Sequence, residues 1–284
     1  YISKELLFND LTKGIAYLNF LENIDIEKDF DRVYENLSRL SKTVFSVDNL
    51  LIHTICDEKG YKNAFVGIEN LTDNLFTEDK KENKAVLKTE IKNEGFVTPS
   101  MVNYVARFGN FVNHGFKYTG VLRVLKVLLS YDYLWNNIRV KGGAYGCSAI
   151  FGRSGNSGFV SYRDPNVSNT NKVYEGIVDY VKNFTANDRE MTKSVIGAIS
   201  EMDTPLTPSR EGLRGLSAYY SKVRHEDLVK EREEVLNTSE KDIRALVPLI
   251  EAVLSDKLIC AIGNEDLIEK DKELFKEVKH LYKD

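Results

Sequence analysis

The chain has 284 residues, 42% hydrophobic and 29% charged, enough to bury one large core or two unequal ones without help from a metal or a disulfide. Its 39 Lys and Arg residues face 43 Asp and Glu, a net charge of −4, so no nucleic-acid partner is expected. No apolar run approaches the roughly 18–20 residues of a membrane span, and no membrane partner is expected either.

Residues 1–25 carry Leu6, Leu7, Leu11, Ile15, Leu18 and Leu21 at helical spacing, and a second helix is predicted over 29–45 with Phe30, Val33, Leu37, Leu40 and Val44 on one face. Residues 49–56 read as a short strand, followed by a helix over 62–75. The charged stretch 77–84 has almost nothing to bury and reads as a linker. The chain enters helical sequence at Tyr1 with no initiator Met, so it is expected to be a piece of something longer.

Strands are predicted over 91–97 and 102–110, then a helix of about 20 residues from near Thr119 with Val121, Leu125, Leu128, Leu129 and Leu134 along one stripe. Residues 144–152 and 158–163 form the arms of an antiparallel hairpin, and helices follow over 170–184, 188–202, 209–222 and 225–236. Ser239 is the N-cap of a helix reaching 254; a strand over 257–262 and a final helix over 265–282 complete the chain. The order helix, strand, polar turn, helix at 29–75 recurs at 239–282, which suggests two related units. The fold class is therefore α+β, with a mixed, largely antiparallel sheet flanked by helices. The first of these units reads as truncated at its front, and the linker 77–84 separates it from the rest of the chain.

No metal site is expected in the chain. His53, His114, His225 and His280 are scattered; neither HExxH nor HxxEH occurs, and His53 reads as a packed or edge histidine. Cys56, Cys147 and Cys260 lack CxxC spacing and read as buried reduced thiols in strand-like segments. No nucleophile elbow is present, and the glycines near residue 143 fit no phosphate-loop pattern.

The segment from Leu134 to Gly146 stands out: it closes a helix with Arg139, turns on Gly142 and Gly143, and delivers Tyr145 onto a predicted strand. Two hydrogen-bond donors on either side of a sharp turn suit a carbonyl oxygen that is gaining negative charge. The same residues also fit plain structural roles, a cation at a helix C-terminus, a glycine cap and a strand tyrosine. The residues alone leave both open.

The run Leu134-Trp135-Asn136-Asn137-Ile138-Arg139-Val140-Lys141-Gly142-Gly143-Ala144-Tyr145-Gly146, supported by residues 158–165 and 258–264, resembles the C-terminal half of the presequence-protease branch of the pitrilysin/insulinase (inverzincin) family. The resemblance implies that residues 1–76 are the C-terminal part of a third α+β domain, 77–84 a linker, and 85–284 a fourth, pitrilysin/insulinase-type domain that carries the Arg and Tyr. It further implies two halves closing around a chamber that admits unfolded peptides. Zinc would be held by HxxEH and a distal Glu in the N-terminal half, so this chain carries no cofactor of its own. By position Arg139 and Tyr145 match the Arg and Tyr that complete the catalytic and substrate site, with Gly142 and Gly143 shaping the turn between them. The implied activity is zinc metalloendopeptidase action on unstructured peptides, absent from this piece alone. Its partners would be the N-terminal half and the peptide substrates, in prokaryotic cytoplasm or an organellar matrix. A noncatalytic peptide-binding or scaffold subunit of the same superfamily, using an exposed strand edge, is the alternative.

Overall fold

The computed structural model describes residues 1–77 and 86–282. The predicted linker therefore lies, apart from residue 77, outside the described residues. The chain forms two compact units, a larger one of Tyr1–Phe8, Lys88–Thr204 and His225–Asp284 and a smaller one of Asn9–Leu87 and Pro205–Arg224.

The chain opens with helices α1 (Lys4–Lys13), α2 (Ile15–Glu22), α3 (Ile26–Val44) and α4 (Glu58–Asp73). Asp25 caps α3 by accepting from the Glu27 and Lys28 amides, and Asp57 caps α4 through Gly60. The predicted strand over 49–56 does not form. That stretch ends a 3₁₀ turn and runs on exposed, because no strand lies beside it among the described residues and a lone strand leaves its backbone groups unpaired. Cys56 is accordingly exposed and outside any strand, and His53 is exposed rather than packed in a sheet.

The larger unit is built on strands β1 (Glu94–Thr98) and β2 (Asn103–Asn110), the helix α5 (Val121–Leu128), and strands β3 (Gly146–Phe151) and β4 (Asn156–Asp164). Helices α6 (Ser168–Glu175), α7 (Ile177–Lys182) and α8 (Asp188–Met202) follow; α9 (Pro208–Ser221) belongs to the smaller unit. The chain ends with α10 (His225–Leu236), α11 (Glu240–Arg244), α12 (Val247–Ser255), β5 (Leu258–Asn264), α13 (Glu265–Lys270) and β6 (Glu277–His280). Ser239 caps α11 with a full capping box, as its sequence predicts.

The six strands lie in the order β3-β4-β2-β5-β1-β6. The first three neighbour pairs are antiparallel and the last two parallel, so the sheet is mixed and largely antiparallel. Val105, Ala149, Phe159, Ile259 and Ala261 are buried in one core with Leu122, Leu125, Leu129, Leu134 and Ile138 of the helical segment after Gly120, and with Ile250 and Val253 of α12. The register Val105↔Ala261 and Ala149↔Phe159 puts these strand residues on one face.

The predicted final helix is overturned. Only α13 forms, and the chain then returns so that Phe275 packs where Gly95 leaves room and Glu277–His280 pairs in parallel with β1. Tertiary pairing with an open strand edge overrides the local helical pattern there. With one strand missing at 49–56 and a strand in place of the last helix, the internal repeat is not seen among the described residues.

The long helix predicted after Thr119 is α-helical only to Leu128. It continues as π-helix over Leu129–Tyr133 and Trp135–Val140. It ends where Gly143, at φ +81°, donates its amide to the Arg139 carbonyl at 3.0 Å and Ala144 donates to Ile138 at 3.1 Å. Gly142 is not left-handed; it is glycine because a Cβ there would sit 2.5 Å from the Ile138 carbonyl oxygen.

A polar node ties this helix to the hairpin and to α10. Glu231, only 3% exposed, accepts from the Tyr118 hydroxyl at 2.6 Å and Arg123 Nε at 2.6 Å, and pairs with Arg153 of the β3–β4 turn. Burial pushes its carboxyl up, but hydrogen bonds from Tyr118 and Arg123 and the two arginine charges outweigh that and hold it below its ordinary 4.5.

Gly143→Ala is expected to cost about 1–2 kcal/mol in urea unfolding, the left-handed penalty for a residue with a Cβ. Glu231→Gln is expected to lose roughly 2–3 kcal/mol at neutral pH, tempered by the partial exposure of both arginines. Because the folded carboxyl is depressed, wild type keeps this advantage above pH 4.5 and loses it as pH falls through the lower folded value. Thermal unfolding of both proteins across that range should therefore converge at the acid end.

Candidate functional site

Arg139 stands in the last turn of the second π-helical stretch, where hydrogen bonds to the fifth residue back widen the helix. Its guanidinium lies over the Trp135 ring, 4.2 Å from the centroid, and its Nη1 donates to the Tyr145 carbonyl at 2.7 Å. The guanidinium carbon is also 5.5 Å from the Tyr145 ring centroid. The sequence-predicted pair is thus brought together, through the backbone and ring of Tyr145. Tyr145 itself sits one residue before β3 rather than on it, and is 55% exposed. Among the described residues its hydroxyl has no hydrogen-bond partner.

Three more side chains complete the cluster. Tyr162 meets Tyr145 edge-on at 5.3 Å, and the Arg163 guanidinium is 5.6 Å from the same ring. Tyr162 is opposite Gly146 in the β3–β4 register and lies so close that a Cβ on Gly146 would be 2.2 Å from its ring. Both guanidinium groups thus lie 5.5–5.6 Å from the Tyr145 ring centroid, and the Tyr162 ring is inclined to it at 63°.

The turn below this cluster is held from the far side of the hairpin. Asn166 Nδ2 donates to the Gly142 carbonyl at 2.7 Å, and Pro165 lies beside Gly143. Buried Asp164 fixes that loop by accepting from the Asn166 amide at 2.9 Å and the Thr170 hydroxyl at 2.7 Å. Gly142 and Gly143 are therefore brought into contact with the Asp164-Pro165-Asn166 loop as well as with Arg139.

A cleft of about 500 Å³ runs from this cluster along β3, lined by Ser130, Trp135, Arg139, Cys147 and Tyr162 among others. The Cys147 thiol is pushed up to about 11 by burial, against the opposing pull of Arg139, so it is no nucleophile at neutral pH. β3 is an edge strand, and its Ala149 amide donates to Ser130 Oγ at 3.0 Å. Among the described residues no group of three His, Cys, Asp or Glu side chains is placed to hold a metal ion. No described helix is long and apolar enough to cross a membrane.

Sequence reasoning missed Trp135, Tyr162, Arg163 and Asn166 as members of the site. The four-residue spacing of Trp135 and Arg139 on a helix was the available signal for the first. The Asp-Pro-Asn run was legible as a turn, though its grip on Gly142 requires the hairpin register.

The sequence profile of the PreP C-terminal domain matches residues 93–265. Protein HypA of Clostridium perfringens is 36% identical over 283 residues, 100% of this chain and 29% of that protein. Presequence protease 1, chloroplastic/mitochondrial, of Arabidopsis thaliana is 28% identical over 274 residues, 94% of this chain and 25% of that protein. The chain thus spans less than a third of the length of these relatives. Among solved structures, pitrilysin superposes with a TM-score of 0.50 at 12% identity, over 72% of this chain and 23% of pitrilysin, a likeness of fold. With the profile covering more than half of it, the chain belongs to the PreP C-terminal domain family.

Proposed function

We propose that this chain is the non-zinc half of a metalloendopeptidase that degrades unstructured peptides, and that Arg139 and Tyr145 complete the active site there. The observation that carries the reading is the Trp135–Arg139–Tyr145 arrangement: an arginine stacked on one ring and bonded to the tyrosine's own carbonyl, leaving the phenol free. This reading assigns the metal and the activation of water to the other half.

Within that division of labour, hydrolysis of a peptide puts negative charge on the carbonyl oxygen. Tyr145 donates a hydrogen bond to that oxygen from its phenol. Arg139 fixes the backbone that carries Tyr145 and adds positive potential beside it. Gly142, gripped by Asn166, and Gly143, beside Pro165, set the distance between the two.

The position of β3 at the sheet edge supports a second reading, a noncatalytic module that takes an extended peptide along that strand. Cleavage separates the two. Mixing this chain with the separately produced upstream half should give chelator-sensitive cleavage of an unstructured peptide that neither part gives alone. Association of the two without cleavage would favour the module. In the reconstituted enzyme Tyr145→Phe is expected to lower kcat roughly 10²–10³-fold with metal content and association intact. Turnover near that of wild type would remove Tyr145 from the chemistry.

A further inference from the structure

A second pocket, of about 360 Å³, opens next to the cleft and shares Lys126, Ala149 and Ile150 with it. That volume falls in the range of small-ligand sites, which begins at roughly 300 Å³. Tyr118 and Phe151, both half-buried, supply apolar wall, and Arg123, Arg153 and Lys126 supply charge.

The charges do not cancel. Arg123 and Arg153 share one acceptor, the buried carboxylate of Glu231, and Lys126 is paired at 2.7 Å with Glu201. Three cations thus face two carboxylates. The arginines are rigidly aimed: Arg123 is bound through Nε, and Arg153 is bound through one terminal nitrogen and stacked 5.0 Å from the Tyr118 ring centroid. Both keep further N–H donors, and both side chains remain about a third exposed, at 33% and 35%. Two pre-aimed guanidinium groups with spare donors are suited to one more carboxylate. The adjoining apolar wall suits the side chain of the residue bearing it.

We infer that this pocket binds the free C-terminal carboxylate of a peptide, between Arg123 and Arg153, with the last side chain against Tyr118 and Phe151. The inference rests on the peptide reading above and adds to it a feature of the bound chain. Tyr145 stands before β3 and Arg153 follows it, so an extended peptide joining the two sites runs alongside Gly146–Phe151, about 17 Å at strand spacing. The end of the bound chain is therefore fixed about five residues from the Tyr145 cluster.

The test is fluorescence anisotropy on the 284-residue chain with an N-terminally labelled unstructured peptide ending in Phe. It is made with a free C-terminus, as the C-terminal amide, and as an amide ending in Glu in place of Phe. The free acid is expected to bind about tenfold or more tightly than either amide, the range of a hydrogen bond to a charged group. Arg153→Gln should abolish that preference, and Lys126→Gln, which leaves the Glu231 node intact, should reduce it. Equal affinity of acid and Phe amide, a preference that survives Arg153→Gln, or no binding of any peptide would overturn the pocket. A Glu amide that matches the acid would overturn the C-terminal assignment. Cleavage by the reconstituted enzyme together with any of these results would sink the pocket alone and leave the peptidase reading standing.

Discussion

A single handover governs the site: the chain must pass from a helix packed on the sheet into the sheet's own edge strand within a few residues. Ile138 and Ala149 are both fully in the core, so the ends of that passage are fixed. Between them the backbone needs one left-handed residue and one with no Cβ, and Gly143 and Gly142 provide them. Arg139 and Tyr145 lie on either side of this turn, and the bond from Arg139 to the Tyr145 carbonyl closes it as a ring. Positioning of the Arg139 and Tyr145 side chains and termination of the helix are therefore one structural event.

Around that event the larger unit uses polar anchors inside its core. Arg107, buried on β2, reaches Asn171 of α6 at 3.1 Å and the Leu254 carbonyl at the end of α12 at 3.1 Å. Burial lowers its affinity for the proton, while Glu175 works the other way. Asp164 and Glu231 play equivalent parts at the hairpin base and at its turn. Groups of this kind stabilise little by themselves, but each becomes costly when a partner is removed, which pins relative positions that apolar packing alone leaves adjustable.

Much of this was legible from residues because it is local. The span of α10, the Ser239 cap and the β3–β4 hairpin depend on side chains within a few positions of one another. The strand expected at 49–56 and the helix expected at 265–282 failed for the opposite reason. An apolar run becomes a strand only beside another, and an amphipathic tail stops being a helix when an open strand edge competes for it. In the site, Arg139 and Tyr145 were named from the glycine turn and from resemblance, whereas the grip of Asn166 on Gly142 spans 24 positions and leaves no local trace. The burial expected for Cys56 failed with its strand, while Cys147 and Cys260 are half-buried on β3 and β5.

The Ser130 hydroxyl, which accepts from Ala149 on the outer side of β3, has a meaning beyond local satisfaction. An open strand end of a sheet is a template for any other extended chain, including another copy of the same protein. By occupying a donor in the middle of the row, Ser130 breaks the periodic ladder that runaway strand addition requires. An edge interrupted in this way is a poorer template for a second copy of the same strand than a continuous row of donors and acceptors.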